Sequence, residues 1–207
     1  MLLSYEMVYS ADRVHVHRPL VNTGRGRQQP SRFAARRHQG LAVIYRDGLD
    51  VTVYRLQSTC SPTTFDCQVV KVKSGKSSNV IAKLYRKPDP AVAPQLFLDE
   101  LFDLFNNLST SSGAEVIVCG DLNCRGDASS SVDNRLATVF DLFNMVQLVH
   151  SPTREDNLLD VLVCSDGHRF VHDVVVKEAG RISDHRLVKA QWSIHSHHYT
   201  PSKPLIY

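Results

Sequence analysis

The run Val116-Ile-Val-Cys-Gly-Asp-Leu-Asn123, taken with Ser183-Asp-His185 further along, constrains this chain more than any other feature. The first is an apolar strand that stops at a glycine and then presents a carboxylate and an amide. Side chains alternate along a strand, so Asp121 and Asn123 point to one side where the extended geometry persists. The second places a carboxylate and an imidazole on consecutive residues, ahead of another apolar run from Leu187 to Trp192. Acid, amide, acid and imidazole at strand ends can hold a divalent cation, aim a water and steady a charged phosphate. Either motif alone is weak. Together, in this order, they are more specific.

The rest of the pattern alternates apolar runs with turn signals. Leu41–Ile44 and Val51–Leu56 are separated by Arg46-Asp-Gly48, a hairpin-style break, and Phe65–Val72 and Val80–Tyr85 by Ser74-Gly-Lys-Ser-Ser78, a second one. The period then changes: Phe97, Leu101, Leu104, Phe105 and Leu108 recur at helical spacing after Pro90 and Pro94. A strand at Val116–Cys119 leads to Asp121. A second helix follows, with Leu136, Val139, Phe140 and Phe143 on one stripe and Asp133 as N-cap. Strands at Leu158–Cys164, Phe170–Val176 and Leu187–Ile194 complete a layered α/β domain. Residues 1–38 show no sustained period and read as a partly disordered, arginine-rich lead-in. Residues 39–194 read as the domain, and residues 195–207, with three histidines and two prolines, as a disordered tail.

Charge and cysteine usage narrow the classes. The net charge is +3, yet Arg13 to Tyr45 holds seven arginines (Arg13, Arg18, Arg25, Arg27, Arg32, Arg36, Arg37) and no acid. Removing those seven from the net charge leaves −4 for everything else. Such a segment can be a phosphate-attracting stripe or a solvated loop, and the sequence supports both. The five cysteines are scattered without ligand spacing, which argues against zinc and for reduced thiols, with Cys119 and Cys164 as small core residues. No apolar run is long enough to cross a bilayer. The expectation is an intracellular protein, in nucleus or cytoplasm, with no membrane and no protein partner that can be inferred.

One further run, Ser151-Pro-Thr-Arg-Glu-Asp-Asn-Leu-Leu-Asp160-Val-Leu-Val163, is a polar loop leading into a strand that carries an acid. With Gln39-Gly-Leu-Ala-Val-Ile44, Leu84-Tyr-Arg-Lys-Pro88, Gly120-Asp-Leu-Asn123 and Ser183-Asp-His185, it gives the chain a resemblance to a family. The sequence resembles the endonuclease/exonuclease/phosphatase superfamily, most of all the endonuclease domain of non-LTR (LINE-type) retrotransposons, over roughly residues 39 to 193. The resemblance implies a two-sheet sandwich flanked by helices with the site at one end. It implies Mg2+-dependent cleavage of a DNA phosphodiester, with Mn2+ as a substitute ion, leaving a 3′-hydroxyl. Asp121 positions or deprotonates the water and touches the metal, and Asn123 holds the scissile phosphate. Asp184 is a metal ligand, His185 contacts the phosphate, Asp160 orients His185, and Tyr85 donates to a phosphate oxygen. Thr153, Arg154 and Arg86 contact phosphate. The same superfamily includes phosphatases and phospholipid phosphodiesterases.

The chain also departs from the family pattern. A first-strand Asn and a second-strand Glu, a principal Mg2+ ligand, precede the segment matching Gln39–Ile44, and only Glu6 and Asp12 are early acids here. Glu6 is a poor substitute by its context. The expectation is a domain lacking the first strands, with an unpaired sheet edge. It is expected to be a weakened nuclease or an inactive, nucleic-acid-binding remnant, because a Mg2+ site loses much with one hard oxygen ligand.

Overall fold

Strands form where apolar and polar residues alternate or where short β-branched runs are bounded by turns, and helices where the apolar period lengthens. The computed structural model describes residues 3–10, 13–17, 33–38, 41–46, 48–57, 60–74, 77–89, 93–109, 114–124, 131–165, 170–181 and 183–194. In chain order the elements are β1 (Leu3–Ser10), β2 (Arg13–His17), β3 (Phe33–His38), β4 (Leu41–Arg46), β5 (Asp50–Val53), β6 (Asp66–Ser74) and β7 (Ser77–Tyr85). There follow α1 (Pro94–Ser109), β8 (Glu115–Asp121), α2 (Ser131–Leu142), β9 (Met145–Gln147), β10 (Asp160–Ser165), β11 (Val171–Lys177) and β12 (Leu187–Ile194). One six-stranded sheet runs β11-β12-β1-β2-β4-β3 and the other β5-β6-β7-β8-β10-β9.

Alternation along the second sheet divides its side chains between two cores. Ile81, Ile117, Cys119, Leu162 and Cys164 face the first sheet, where they pack with Val43, Val188, Ala190 and Trp192. The alternate residues Val80, Ala82, Val118, Val161 and Val163 pack with Phe97, Leu101, Leu104 and Phe105 of α1 and Leu136 and Phe140 of α2. The chain is an α/β two-sheet sandwich with both described helices on the outer face of the second sheet. Among the described residues no helix is long and apolar enough to cross a membrane, and all five cysteines are free thiols.

Several sequence expectations are corrected. The break at Arg46–Gly48 is not a hairpin: β4 belongs to the first sheet and β5 to the second, so the chain changes sheets there. Period-two alternation cannot distinguish a return strand from a crossing. The second break is a hairpin, with β6 and β7 antiparallel and Ser74 opposite Ser77. Asp133 is not the N-cap of α2, because the helix already begins at Ser131. Three stretches of the lead-in are strands, and β1 pairs with both β12 and β2, so the first strands and the edge of β12 are filled. The signal was present: in Leu3-Ser-Tyr-Glu-Met-Val-Tyr-Ser10 the odd positions are apolar. Tyr5, Met7 and Tyr9 stand in register with Trp192, Ala190 and Val188, and those three β12 residues are buried in the core. The tail from residue 195 and arginines 18, 25, 27 and 32 lie outside the described residues.

Candidate active site

Three strands of the second sheet deliver their ends to one place. β8 lies between β7 and β10, with Tyr85 in register with Asp121 on one side and Asp160 on the other. All three residues stand on the face turned towards the first sheet. The sequence reason is Gly120. Its φ is +143°, and a Cβ there would fall 1.9 Å from the Leu84 carbonyl oxygen. Only glycine lets β8 lie this close to β7 and turn its last residue into the site. Gly120→Ala is expected to lower stability by about 3 kcal/mol, combining strain with a backbone clash. Urea unfolding of the variant measures it.

Beyond the strand the chain folds back on Asp121. Its Oδ1 accepts the Asn123 backbone N–H at 2.9 Å and its Oδ2 accepts the Asn123 side-chain amide at 3.1 Å. The same amide also donates to the Arg86 carbonyl at 2.7 Å. Both amide hydrogens of Asn123 are thereby spent on holding Asp121 and the strand end. Asn123 itself has φ +48°, a conformation asparagine tolerates.

His185 sits across from these carboxylates. Its Nδ1 is 2.7 Å from Asp160 Oδ2 and its Nε2 3.8 Å from Asp121 Oδ2. Imidazole and both acids are almost fully buried, at 5%, 0% and 2% exposure. Ser183 Oγ accepts the His185 backbone N–H at 3.0 Å, which turns the loop so that the imidazole enters while Asp184 does not. Arg186 binds the two loops together. Its N–H donates to the Thr153 carbonyl, its Nη1 to the carbonyls of Pro152 and Glu155, and its Nε to Glu178. Nothing in the spacing of the motifs pointed to Arg186.

Thr153 is fully buried, and its Oγ1 accepts the backbone N–H groups of Leu159 and Asp160, each at 3.0 Å. It is therefore a brace for Asp160, not a phosphate contact, which corrects the expectation. Thr153→Val leaves two buried donors unpaired and is expected to lower stability by about 2 kcal/mol, read from an unfolding curve. Arg86 is also occupied. Its guanidinium lies 4.5 Å over the Phe97 ring, and its Nη1 donates to the Leu122 carbonyl and meets Cys124 Sγ, each at 3.3 Å. Tyr85 is half-buried beside Asp121. Arg154, 43% exposed, pairs with Asp184 at 2.8 Å.

Burial and charge set the protonation pattern. Burial pushes the Asp121 carboxyl up to about 6, helped by the Asp160 charge and opposed by the Asn123 N–H, His185 and Lys83. The bond to Asp160 raises the His185 imidazole above its usual value against the pull of burial, with the charges of Asp160, Asp121 and Asp184 adding to it. Near neutral pH the centre holds a carboxyl that has given up most of its proton, beside an imidazole inclined to keep its own. That is a base and a cationic donor in contact.

The divalent cation implied by the resemblance finds no complete set of donors among the described residues. No three His, Cys, Asp or Glu side chains gather as a possible metal site among the described residues. Asp184 is 70% exposed and already paired with Arg154, while Asp121 has both oxygens on Asn123. Glu6 stands in β1 opposite Gln191, between the register partners of Ala190 and Trp192.

No protein-family model and no curated protein matches the sequence. Solved structures do. The endonuclease domain of TRAS1, a telomere-specific non-LTR retrotransposon, superposes with a TM-score of 0.59 at 17% identity, over 78% of this chain and 77% of that one. D. rerio TDP2 complexed with single-strand DNA product gives 0.56 at 14% identity, over 80% and 77%. The AP endonuclease LMAP from Leishmania major gives 0.54 at 14% identity, over 80% and 71%. With its two packed sheets and its acids at their ends, the chain has the fold of the endonuclease/exonuclease/phosphatase superfamily.

Proposed function

We propose that this end of the sandwich hydrolyses a phosphodiester of DNA, leaving a 3′-hydroxyl. The observation that carries the reading is the buried line Asp160–His185–Asp121, closed at 2.7 Å and open at 3.8 Å. Asp121 accepts a proton from the attacking water, whose oxygen bonds to phosphorus. The phosphorus bond to the 3′ oxygen breaks, and that oxygen leaves as an alkoxide that takes its proton from solvent water. His185, held by Asp160, offers its Nε2 proton to the negative charge that builds on the phosphate. Arg154 is exposed enough to meet a neighbouring phosphate by exchanging it for Asp184.

Nucleic acid is favoured over lipid by what the similar structures are: an endonuclease domain, an enzyme holding a DNA product, and an AP endonuclease. Thr153-Arg154 with Leu159-Asp160, and Tyr85-Arg86, favour a retrotransposon-type endonuclease within that group. The described residues supply no cation site, so the expected reaction is slow. Losing an ion that activates water and polarises phosphate forfeits on the order of a thousandfold in rate. A second reading is DNA binding without cleavage, and the occupied state of Asn123 and Asp184 supports it.

Supercoiled plasmid and phosphoinositide vesicles offered in parallel, each with and without Mg2+ or Mn2+, separate the classes. Plasmid nicking with no lipid phosphate release is expected. Phosphate release from lipid with intact plasmid would overturn the DNA reading.

A further inference from the structure

Arg86 follows the last residue of β7, and strand alternation decides which way it turns. Tyr85 stands with Asp121 on the face towards the first sheet, so the next side chain goes to the other face, where α1 packs. There it lies over the fully buried ring of Phe97, 4.5 Å from its centroid, and Phe65 meets that ring edge-on at 5.9 Å. Arg86 therefore stands behind the acids, not among them. Its backbone and its side chain both grip one turn, Asp121 to Cys124. The backbone N–H donates to the Asp121 carbonyl at 2.8 Å, and the backbone carbonyl accepts the Asn123 side-chain amide at 2.7 Å. Nη1 reaches the Leu122 carbonyl and Cys124 Sγ, each at 3.3 Å. From the opposite side the Leu122 N–H donates to the Leu159 carbonyl at 3.1 Å. The two side-chain bonds are long, so neither fixes the turn alone. The aromatic face beneath the guanidinium sets the plane from which both are made.

We infer that Arg86 is a positioning residue: clamped on Phe97 of α1, it holds the Asp121–Cys124 turn in the shape that aims the Asp121 carboxylate at the attacking water. The chain of action is short. The guanidinium fixes Leu122 and Cys124, and these fix Asn123 between them. Asn123 in turn holds both Asp121 oxygens, one through its backbone N–H and one through its amide. Its φ of +48° is a conformation that a side-chain-bearing residue keeps only where its surroundings over-determine it. Without the clamp Asn123 leaves that conformation, and its bonds to Asp121 go with it. The carboxylate then stays at the end of β8 but loses its aim. Lysine cannot replace this arginine, because an ammonium has no plane to lay on a ring while donating from its edge. What the carboxylate is aimed at rests on the phosphodiesterase reading; the grip of Arg86 on the turn does not.

Two measurements on the full chain test it, with Arg86→Ala and with Arg86→Lys as the milder variant that keeps the charge and the stem. Native-state amide hydrogen exchange needs no substrate. In either variant the Asn123 N–H is expected to exchange about a hundredfold faster, while the Val118 N–H in the middle of β8 changes by less than about threefold. Equal acceleration at both amides overturns the inference, since an arginine that only stabilises the fold lowers protection everywhere. Unchanged protection at Asn123 overturns it too. Plasmid nicking gives the second readout. In Arg86→Ala kcat is expected to fall about a hundredfold with KM within about twofold of native, and millimolar guanidinium ion to restore part of the rate. A raised KM with kcat unchanged overturns the inference, because it marks an arginine that binds the phosphate. Should the native chain nick nothing, the phosphodiesterase reading has failed, and the exchange of Asn123 against Val118 alone decides the inference.

Discussion

Asp160→Ala is expected to lower stability by about 3 kcal/mol and to take the His185 imidazole back below its raised value. The physical ground is that the substitution removes the partner of a buried imidazole and leaves burial as the main influence on it. Breaking one half of a buried charge pair is more damaging than never having built it, since the surviving group keeps its desolvation and loses its compensation. The pH dependence follows from the direction of the shift. A histidine whose folded pKa lies above the unfolded value of 6.5 contributes stability that is complete below pH 6.5 and is lost as pH rises through the folded value. The penalty of Asp160→Ala is accordingly largest in acid and shrinks toward alkaline pH. Denaturant titrations at pH 5.5 and pH 9 measure both ends, and an equal penalty at the two would contradict the pairing.

Asp121→Asn is expected to act in the opposite direction on stability. Burial raises this carboxyl from 3.8 to about 6, so the folded chain binds the proton more tightly than the unfolded one. Stability therefore falls as pH rises from about 4 to about 6 and stays reduced above it. An asparagine has no proton to lose, and its oxygen can still accept the Asn123 backbone N–H. The shift corresponds to about 3 kcal/mol. The lost bond from the Asn123 amide to Oδ2 offsets part of it. The net expectation is a gain of about 1–2 kcal/mol above pH 6 and none below pH 4, read from unfolding midpoints across that range. The variant should also lose hydrolysis, because the base is gone. More stability with less activity is what a carboxylate held for chemistry predicts.

The parts of this arrangement that were legible in sequence are those written in short runs. Val116–Cys119 followed by Gly-Asp marked β8 and its turn, and Leu158-Leu-Asp160 marked an acid that only a partner could stabilise; His185 is that partner at 2.7 Å. The helical period from Phe97 to Leu108 marked α1. What escaped depends on relations between distant residues. The sheet to which β5 belongs cannot be read from its four residues, and β9 has only three. Thr153 reads as a phosphate donor until the fold buries it under the backbone of Leu159 and Asp160. Arg186 reads as surface until it is seen bridging Pro152, Glu155 and Glu178.

That Asp121 and His185 act as one unit on a DNA phosphodiester is tested most directly by plasmid nicking. Supercoiled DNA is incubated with the native chain, Asp121→Ala, His185→Ala and the double variant, over a titration of Mg2+ and Mn2+. The expected result is slow nicking by the native chain, background levels for each single variant, and no further loss in the double, since groups acting as a unit do not add. Nicking that survives both substitutions, or salt-sensitive DNA binding without cleavage in all four proteins, would contradict it.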